Sequence, residues 1–313
     1  MIDLSDIEAA AARIKPHIRR TPSLKATCLS REPQWDSLWF KLECLQVTGS
    51  FKARGATNRL FSTPKADLAN GIVTASGGNH GLAVARAARL AGIPAFIFVP
   101  ANVAPAKLGK LEQWGATTKV VGDVWDETNA YSLQFAKERG AVHFHPFKDA
   151  AVVAGQGTVA LEVFDEFPDV DTVLIAVGGG GLIAGMSVAL KAKKPGVRVI
   201  GIEAVGSPTL KQSLESGTCV RLPQVTTRVA TMSCAETDPD ILSLAQRSVD
   251  EIVLVSDDEM QEASRWLWFE FGLATDLSGA ATVAALLNVR VRIPAGQKTV
   301  ALVCGAGNDG IGS

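Results

Sequence analysis

Lys52 lies in the segment VTGSFKARGA, Val47 to Ala56, where glycines, serine and threonine crowd around one amine and Arg54 follows two positions later. A lysine enclosed by small residues is partly desolvated. Its charged form is disfavoured, its pKa falls, and the free amine becomes a nucleophile toward aldehydes. Further along, four successive glycines, Gly178 to Gly181, follow the apolar run DTVLIAV and open a helical pattern. Backbone N–H groups free of side chains at a helix N-terminus form a cradle for an anion such as phosphate. Neither lysine nor arginine lies in this loop, so backbone donors would hold the anion unaided. The same loop admits a competing reading. Gly179, Gly181 and Ala184 satisfy the G-x-G-x-x-G/A dinucleotide fingerprint, and Glu203 stands where a ribose-binding acid belongs, which would make a nicotinamide-binding oxidoreductase.

The lysine favours the phosphate reading, with the nicotinamide-binding oxidoreductase as the alternative. A phosphate-bearing aldehyde with a lysine partner is what pyridoxal 5′-phosphate (PLP) requires. Two further turns, SGGNHG at Ser76 to Gly81 and VCGAGN around Cys304, are rich in small and polar residues. Each of the four turns follows a short apolar run, and such runs (GIVTAS, PAFIFVP, TKVVGD, AVHFHP, VRVIGIEA, KTVALVC) alternate with helical patterns along most of the chain. That alternation predicts an α/β protein with parallel sheets flanked by helices. Ligands collect at the carboxyl ends of parallel strands, so the four turns predict one shared cleft.

Bulk properties narrow the function. A chain of 313 residues suggests two lobes or one large α/β unit. Its 31 basic and 32 acidic residues give no field for nucleic acid or an anionic membrane. The five scattered cysteines, without metal-ligand spacing, fit a reducing cytoplasm. The opening MIDLSDIEAAAARIKPHI is amphipathic rather than a signal peptide, and no apolar stretch has the length of a membrane span. His17, His143 and His145 show no metal spacing and read as structural, as does Arg54 paired with a carboxylate.

The segment KLECLQVTGSFKARGA, with SGGNHG, AGQGTVALEV (Ala154 to Val163), VGGGGLIAG and VCGAGN in that order, closely resembles the fold-type II PLP enzymes, in particular the serine/threonine dehydratase and serine racemase family. The resemblance spans nearly the whole chain and implies a two-lobed, tryptophan synthase β-like fold. A small domain of residues 48–146 would face a large PLP-binding domain of residues 1–47 and 147–313. It implies that Lys52 holds the cofactor and acts as the α-proton base, Phe51 packs near the pyridine ring, and Asn79 bonds its phenolic oxygen. Gly178, Gly179, Gly180, Gly181 and Leu182 would cradle the phosphate and Cys304 would face the pyridine nitrogen. Ser76, Gly77, Asn79 and His80 would meet the substrate, His80 as a cap or packing residue rather than a catalytic group. The implied reaction is dehydration and deamination of a β-hydroxy amino acid, L-threonine or L-serine, to a 2-oxo acid and ammonia. The small-molecule amino acid is the expected partner, with a homodimer as the expected assembly.

Departures from the family pattern qualify the expectation. The racemases' opposite-face serine is replaced by Gly77, which argues against an amino-acid racemase. The family's cation site would need an acid at Thr209, six residues after Glu203, so no metal is expected. Val229, Ala230 and Thr231 stand for a usual ADG, and DLSGA, Asp276 to Ala280, for a usual EPSGA. These leave room for a bulkier or acidic substrate such as phenylserine or 3-hydroxyaspartate. The chain ends soon after VCGAGN, which leaves no room for a regulatory domain and suggests a catabolic role. Trp266 or Trp268 would serve an interface if exposed and the core if not.

Overall fold

The computed structural model describes residues 1–28, 35–101, 103 and 105–311. Helix α1 (Leu4–Ile14) opens the chain, with Asp3 and Asp6 exchanging side-chain-to-backbone bonds in a capping box. Strands β1 (Ser23–Lys25) and β2 (Leu38–Leu42) come next, followed by α2 (Lys52–Ser62). Then β3 (Ile72–Ala75), α3 (Asn79–Ala91), β4 (Ala95–Val99), α4 (Pro105–Gln113), β5 (Thr117–Val120), α5 (Trp125–Arg139) and β6 (Val142–His143) alternate. The rest runs α6 (Ala150–Glu166), β7 (Thr172–Ala176), α7 (Gly181–Lys193), β8 (Arg198–Ala204), α8 (Thr209–Ser216) and α9 (Pro239–Ser248). It closes with β9 (Glu251–Val255), α10 (Asp257–Phe271), α11 (Leu277–Leu287) and β10 (Thr299–Val303).

These strands form two sheets. The larger has the order β1-β2-β10-β7-β8-β9, parallel apart from β1; the smaller is β5-β4-β3-β6, parallel throughout. Central strands of parallel sheets are covered on both faces, and every residue of TVLIA in β7 and TVALV in β10 is buried. In each sheet the chain reverses its direction of growth once. It steps from β3 to β4 to β5 and then places β6 on the other side of β3. Likewise it steps from β7 to β8 to β9 and places β10 on the other side of β7. Ligand crevices open at such switch points. The turns leaving β3, β7 and β10 there are SGGNHG, the tetraglycine and VCGAGN, and Phe144 to Phe147 leave β6 beside them.

AVHFHP is thus a shorter strand than its sequence suggests, with only Val142 and His143 paired to β3. Helix α6, which carries AGQGTVALEV, packs between α2, which begins at Lys52, and α7, which begins in the tetraglycine. On one side a Cβ at Gly155 would stand 2.7 Å from the Cα of Gly55 on α2. Gly55 N–H in turn donates to the Gln156 side chain at 3.1 Å. On the other side a Cβ at Gly157 would stand 2.7 Å from the carbonyl oxygen of Gly185 on α7, and one at Gly185 would stand 2.2 Å from Val153 O. The glycines therefore set how closely the Lys52 helix and the tetraglycine helix approach α6. Gly185→Ala is expected to cost about 1–3 kcal/mol in unfolding free energy through overpacking against backbone, read by denaturant titration.

Trp266 is buried and meets Phe40 and Phe271 edge-on, so of the two tryptophans only Trp268, at 44% exposure, lies at the surface; Phe269 beside it is 77% exposed. Among the described residues no helix is long and apolar enough to cross a membrane.

Candidate active site

Lys52 is the first residue of α2, and its position follows from local backbone constraints. Thr48 and Gly49 adopt positive φ (64° and 82°), which turns the chain sharply before the helix. Ser50 bridges to Gly305, and Phe51 N–H donates to Cys304 O at 3.2 Å, pinning the start of α2 to the turn after β10. The Lys52 amine donates to Pro146 O at 2.9 Å and lies 5.1 Å from the Phe51 ring centroid. Burial lowers its pKa to about 8.

Pro146 and Phe147 link this amine to the tetraglycine. A Cβ at Gly179 would fall 2.3 Å from the Phe147 ring, and one at Gly181 would fall 2.9 Å from Phe147 O. Gly178 packs under Thr231, whose carbonyl oxygen would be 3.0 Å from an added Cβ. Gly180 alone of the four requires positive φ (90°). Three of the four glycines therefore permit close approach of other backbone and rings. The first helical bond of α7 is Ala184 N–H to Gly180 O, and the N–H groups of Gly178 to Ile183 find no acceptor among the described residues. Six donors at the positive end of a 13-residue helix make an anion cradle. Leu182 contributes its N–H here, while its side chain is buried in the core.

The asparagine loop closes the ring of contacts. A Cβ at Gly78 would lie 3.9 Å from the Thr231 methyl group, so Thr231 stands beside both the tetraglycine and SGGNHG. Asn79 Nδ2 donates to Asp276 Oδ2 at 2.7 Å. Asp276 caps α11, accepting from Gly279 N–H at 2.6 Å and Ser278 Oγ–H at 2.7 Å. Burial raises its pKa, against three donated hydrogen bonds that favour the charged form. Cys304 Sγ lies 3.4 Å from Ser278 O, and burial, followed by the Asp276 charge, pushes its thiol far up. Ser76 Oγ is 3.4 Å from Gly78 N–H, at the edge of hydrogen bonding.

Two predicted residues have occupations of their own. His80 is buried, with Nε2 bonded to Phe144 O at 3.0 Å, while Nδ1 has no partner among the described residues. Burial and the Lys52 charge hold this imidazole neutral. Glu203 is fully buried. Its carboxylate accepts from Leu210 N–H (2.8 Å) and Lys211 N–H (2.9 Å) at the start of α8, which removes the ribose-binding acid from the dinucleotide reading. Among the described residues no cluster of metal-ligating side chains occurs. Sequence reasoning missed Pro146 and Phe147, and took Asp276 only as a departure from the family's EPSGA, without its contact to Asn79. Phe147 had a visible signal only in hindsight, since four glycines demand something to pack against.

A family model for pyridoxal-phosphate dependent enzymes matches residues 14–305. The chain belongs to that family. It is 38% identical to the L-threonine ammonia-lyase of Geobacter sulfurreducens over 99% of this chain and 76% of that protein. It is 37% identical to the catabolic L-threonine dehydratase of Staphylococcus aureus, over 99% and 90%. Among solved structures, maize serine racemase superposes with a TM-score of 0.91 at 32% identity, covering 97% of this chain and 93% of that one. A threonine deaminase from T.th. gives 0.89 at 33%, covering 97% and 98%. The family's cofactor fits these residues. PLP needs a buried amine for its aldehyde and donors for its phosphate, and Lys52 and the unpaired N–H groups of the tetraglycine supply both at one cleft.

Proposed function

We propose that this PLP-dependent enzyme is an ammonia-lyase that converts L-threonine or L-serine to the 2-oxo acid and ammonia. The observation that carries this reading is the pairing, in one cleft, of a lysine amine lowered to about 8 with a protonated thiol, Cys304, where a carboxylate would favour longer-lived carbanions. When bound, PLP supplies an electron-withdrawing ring that acidifies the α-carbon of the attached amino acid.

The chain's own residues do the rest. Gly178 to Leu182 would hold the phosphate through backbone N–H groups, with the Phe147 ring packed against Gly179 in that loop. Asn79 would donate to the phenolic oxygen, and Ser76, Gly77 and the N-terminus of α3 would receive the substrate carboxylate. His80, neutral and tied to Phe144 O, packs the loop from beneath. Phe51, whose N–H donates to Cys304 O, would pack near the pyridine ring, and the Cys304 thiol would face its nitrogen. Lys52 removes the α-proton, since an amine near 8 has an appreciable free-base fraction at neutral pH. The Pro146 carbonyl receives one N–H of that amine and aims it. Loss of the β-hydroxyl as water follows. Lys52 would return the proton it took to the departing hydroxyl; once its nitrogen is free of the cofactor, the enamine tautomerises to the imine, and water hydrolyses that to ammonia and pyruvate or 2-oxobutanoate.

Racemisation is disfavoured by packing as well as by residue type. A Cβ at Gly77 would lie 2.7 Å from Val103 Cγ2 and 3.3 Å from Val99 Cγ1, so the position offers neither an acid/base group nor room for one. This reading also takes residues 48–146 as the small lobe and the remainder as the large one. It places the enzyme in the cytoplasm, in keeping with the free thiols of Cys44, Cys219, Cys234 and Cys304, and makes it a homodimer, for which sedimentation is the test.

The deciding assay is 2-oxo acid release with PLP from both enantiomers of serine and threonine, plus phenylserine and 3-hydroxyaspartate. Release from the L-threonine or L-serine samples is expected. Release only from phenylserine or 3-hydroxyaspartate reassigns the substrate, and inversion of serine without release makes the enzyme a racemase.

A further inference from the structure

Asp276 stands 197 residues from Asn79 in sequence and 2.7 Å from it in the fold. Everything around the pair is arranged to permit that contact. Gly305 lies against it, and a Cβ there would be 2.6 Å from Asp276 Oδ2 and 3.0 Å from Asn79 Nδ2. Gly307 leaves room for the Asp276 backbone, 2.7 Å from an added Cβ. Asp276 N–H donates to Gly305 O at 3.2 Å, fixing the residue to the same turn that carries Cys304. One oxygen of the carboxylate, Oδ1, is committed to the α11 cap through Ser278 and Gly279; the other, Oδ2, faces only the Asn79 amide among the described donors.

An asparagine amide has two ends of nearly equal shape, and only its neighbours decide which is the donor. A carboxylate oxygen accepts and cannot donate. We propose that Asp276 is a positioning residue that locks the Asn79 amide with Nδ2 toward the α11 cap, so that its second N–H is the one presented to the bound cofactor. This rests on the proposed role of Asn79 at the phenolic oxygen. Through Ser278, which touches both Asp276 and Cys304, the same carboxylate also ties together the two residues assigned to the polar edges of the ring.

Asp276→Asn separates this role from a structural one. Asparagine is as good an N-cap as aspartate, so α11 and the thermal midpoint should be kept. Its single oxygen is needed by Gly279 N–H, which turns its own NH2 toward Nδ2 of Asn79, two donors face to face. Asn79 then flips and presents Oδ1. The expected result is a changed visible absorption maximum of bound PLP and a PLP dissociation constant raised about tenfold, with the melting temperature within a few degrees of the parent. Asn79→Ala is measured beside it. A shift in Asn79→Ala with none in Asp276→Asn overturns the positioning role while leaving the Asn79 assignment intact. No shift in either overturns both. A parallel shift together with unfolding is resolved by Ser278→Ala, which removes one ligand of the cap but leaves Oδ2 and Asn79 in place. If Ser278→Ala reproduces the spectral change, the effect belongs to the cap and the proposal fails; if it leaves the spectrum unchanged, the proposal stands.

Discussion

Lys52→Met is expected to lower turnover by about 10⁴-fold or more and, in the cofactor-free protein at pH 7, to increase stability by about 2–3 kcal/mol. Both effects have one cause. Burial depresses the amine from 10.5 to about 8, and at about 1.4 kcal/mol per tenfold this corresponds to about 3 kcal/mol held against the fold. Methionine keeps the stem and removes the charge, at the cost of the bond to Pro146 O. The sign with pH follows from proton binding. Below about 8 the amine is charged in both states and the penalty is complete; between about 8 and 10.5 the unfolded chain binds more protons, so the parent protein regains stability as pH rises. The advantage of Lys52→Met should therefore shrink over that interval and vanish above it. Denaturant titrations of both proteins at pH 7, 9 and 11 check this. Equal stability at pH 7 would mean that the amine is solvated and not primed for chemistry.

Arg54→Leu is expected to be the most damaging single change to the fold, by about 3–5 kcal/mol. Arg54 and Glu43 are both fully buried, with 2.8 and 2.6 Å bonds from Nε and Nη2 to the two carboxylate oxygens. A third bond runs from Nη1 to Glu162 at 2.7 Å, and Glu162 in turn pairs with the buried Lys41 at 3.0 Å. The network joins α2, α6 and the end of β2, two residues from the Lys52 amine. Removing the guanidinium strands Glu43 without its counter-charge. Arg54→Lys keeps the charge but not the fork, and should lose less. Thermal unfolding of the two variants provides the comparison. A leucine variant as stable as the lysine variant would show that the buried pair contributes no net stability.

The edge strands β1 and β9 were not read from the sequence. Most of the strands and the four small-residue turns were legible in it because apolar runs, glycine clusters and a lysine among small residues are local signals. Glu203 misled for the same reason. Its spacing from the tetraglycine fits a ribose-binding acid, yet its carboxylate caps α8, a use set by the path of the chain after β8. The contacts that assemble the site are long-range. Asp276 with Asn79, Phe147 with Gly179, and Thr231 with both Gly78 and Gly178 leave no periodic trace. The role of AGQGTVALEV was hidden too. Glycines that bring helices together read the same, in one dimension, as glycines that bind a ligand.

All of this chemistry depends on Lys52 being the amine that carries the cofactor. Borohydride reduction of the PLP-loaded protein fixes a carbonyl compound to the amine holding it, and peptide mass mapping then locates that amine. A single pyridoxyl adduct on the peptide containing Lys52, and none in Lys52→Met, is the expected result. An adduct on another lysine, such as Lys148, or a coloured protein that yields no adduct, would take the cofactor away from Lys52.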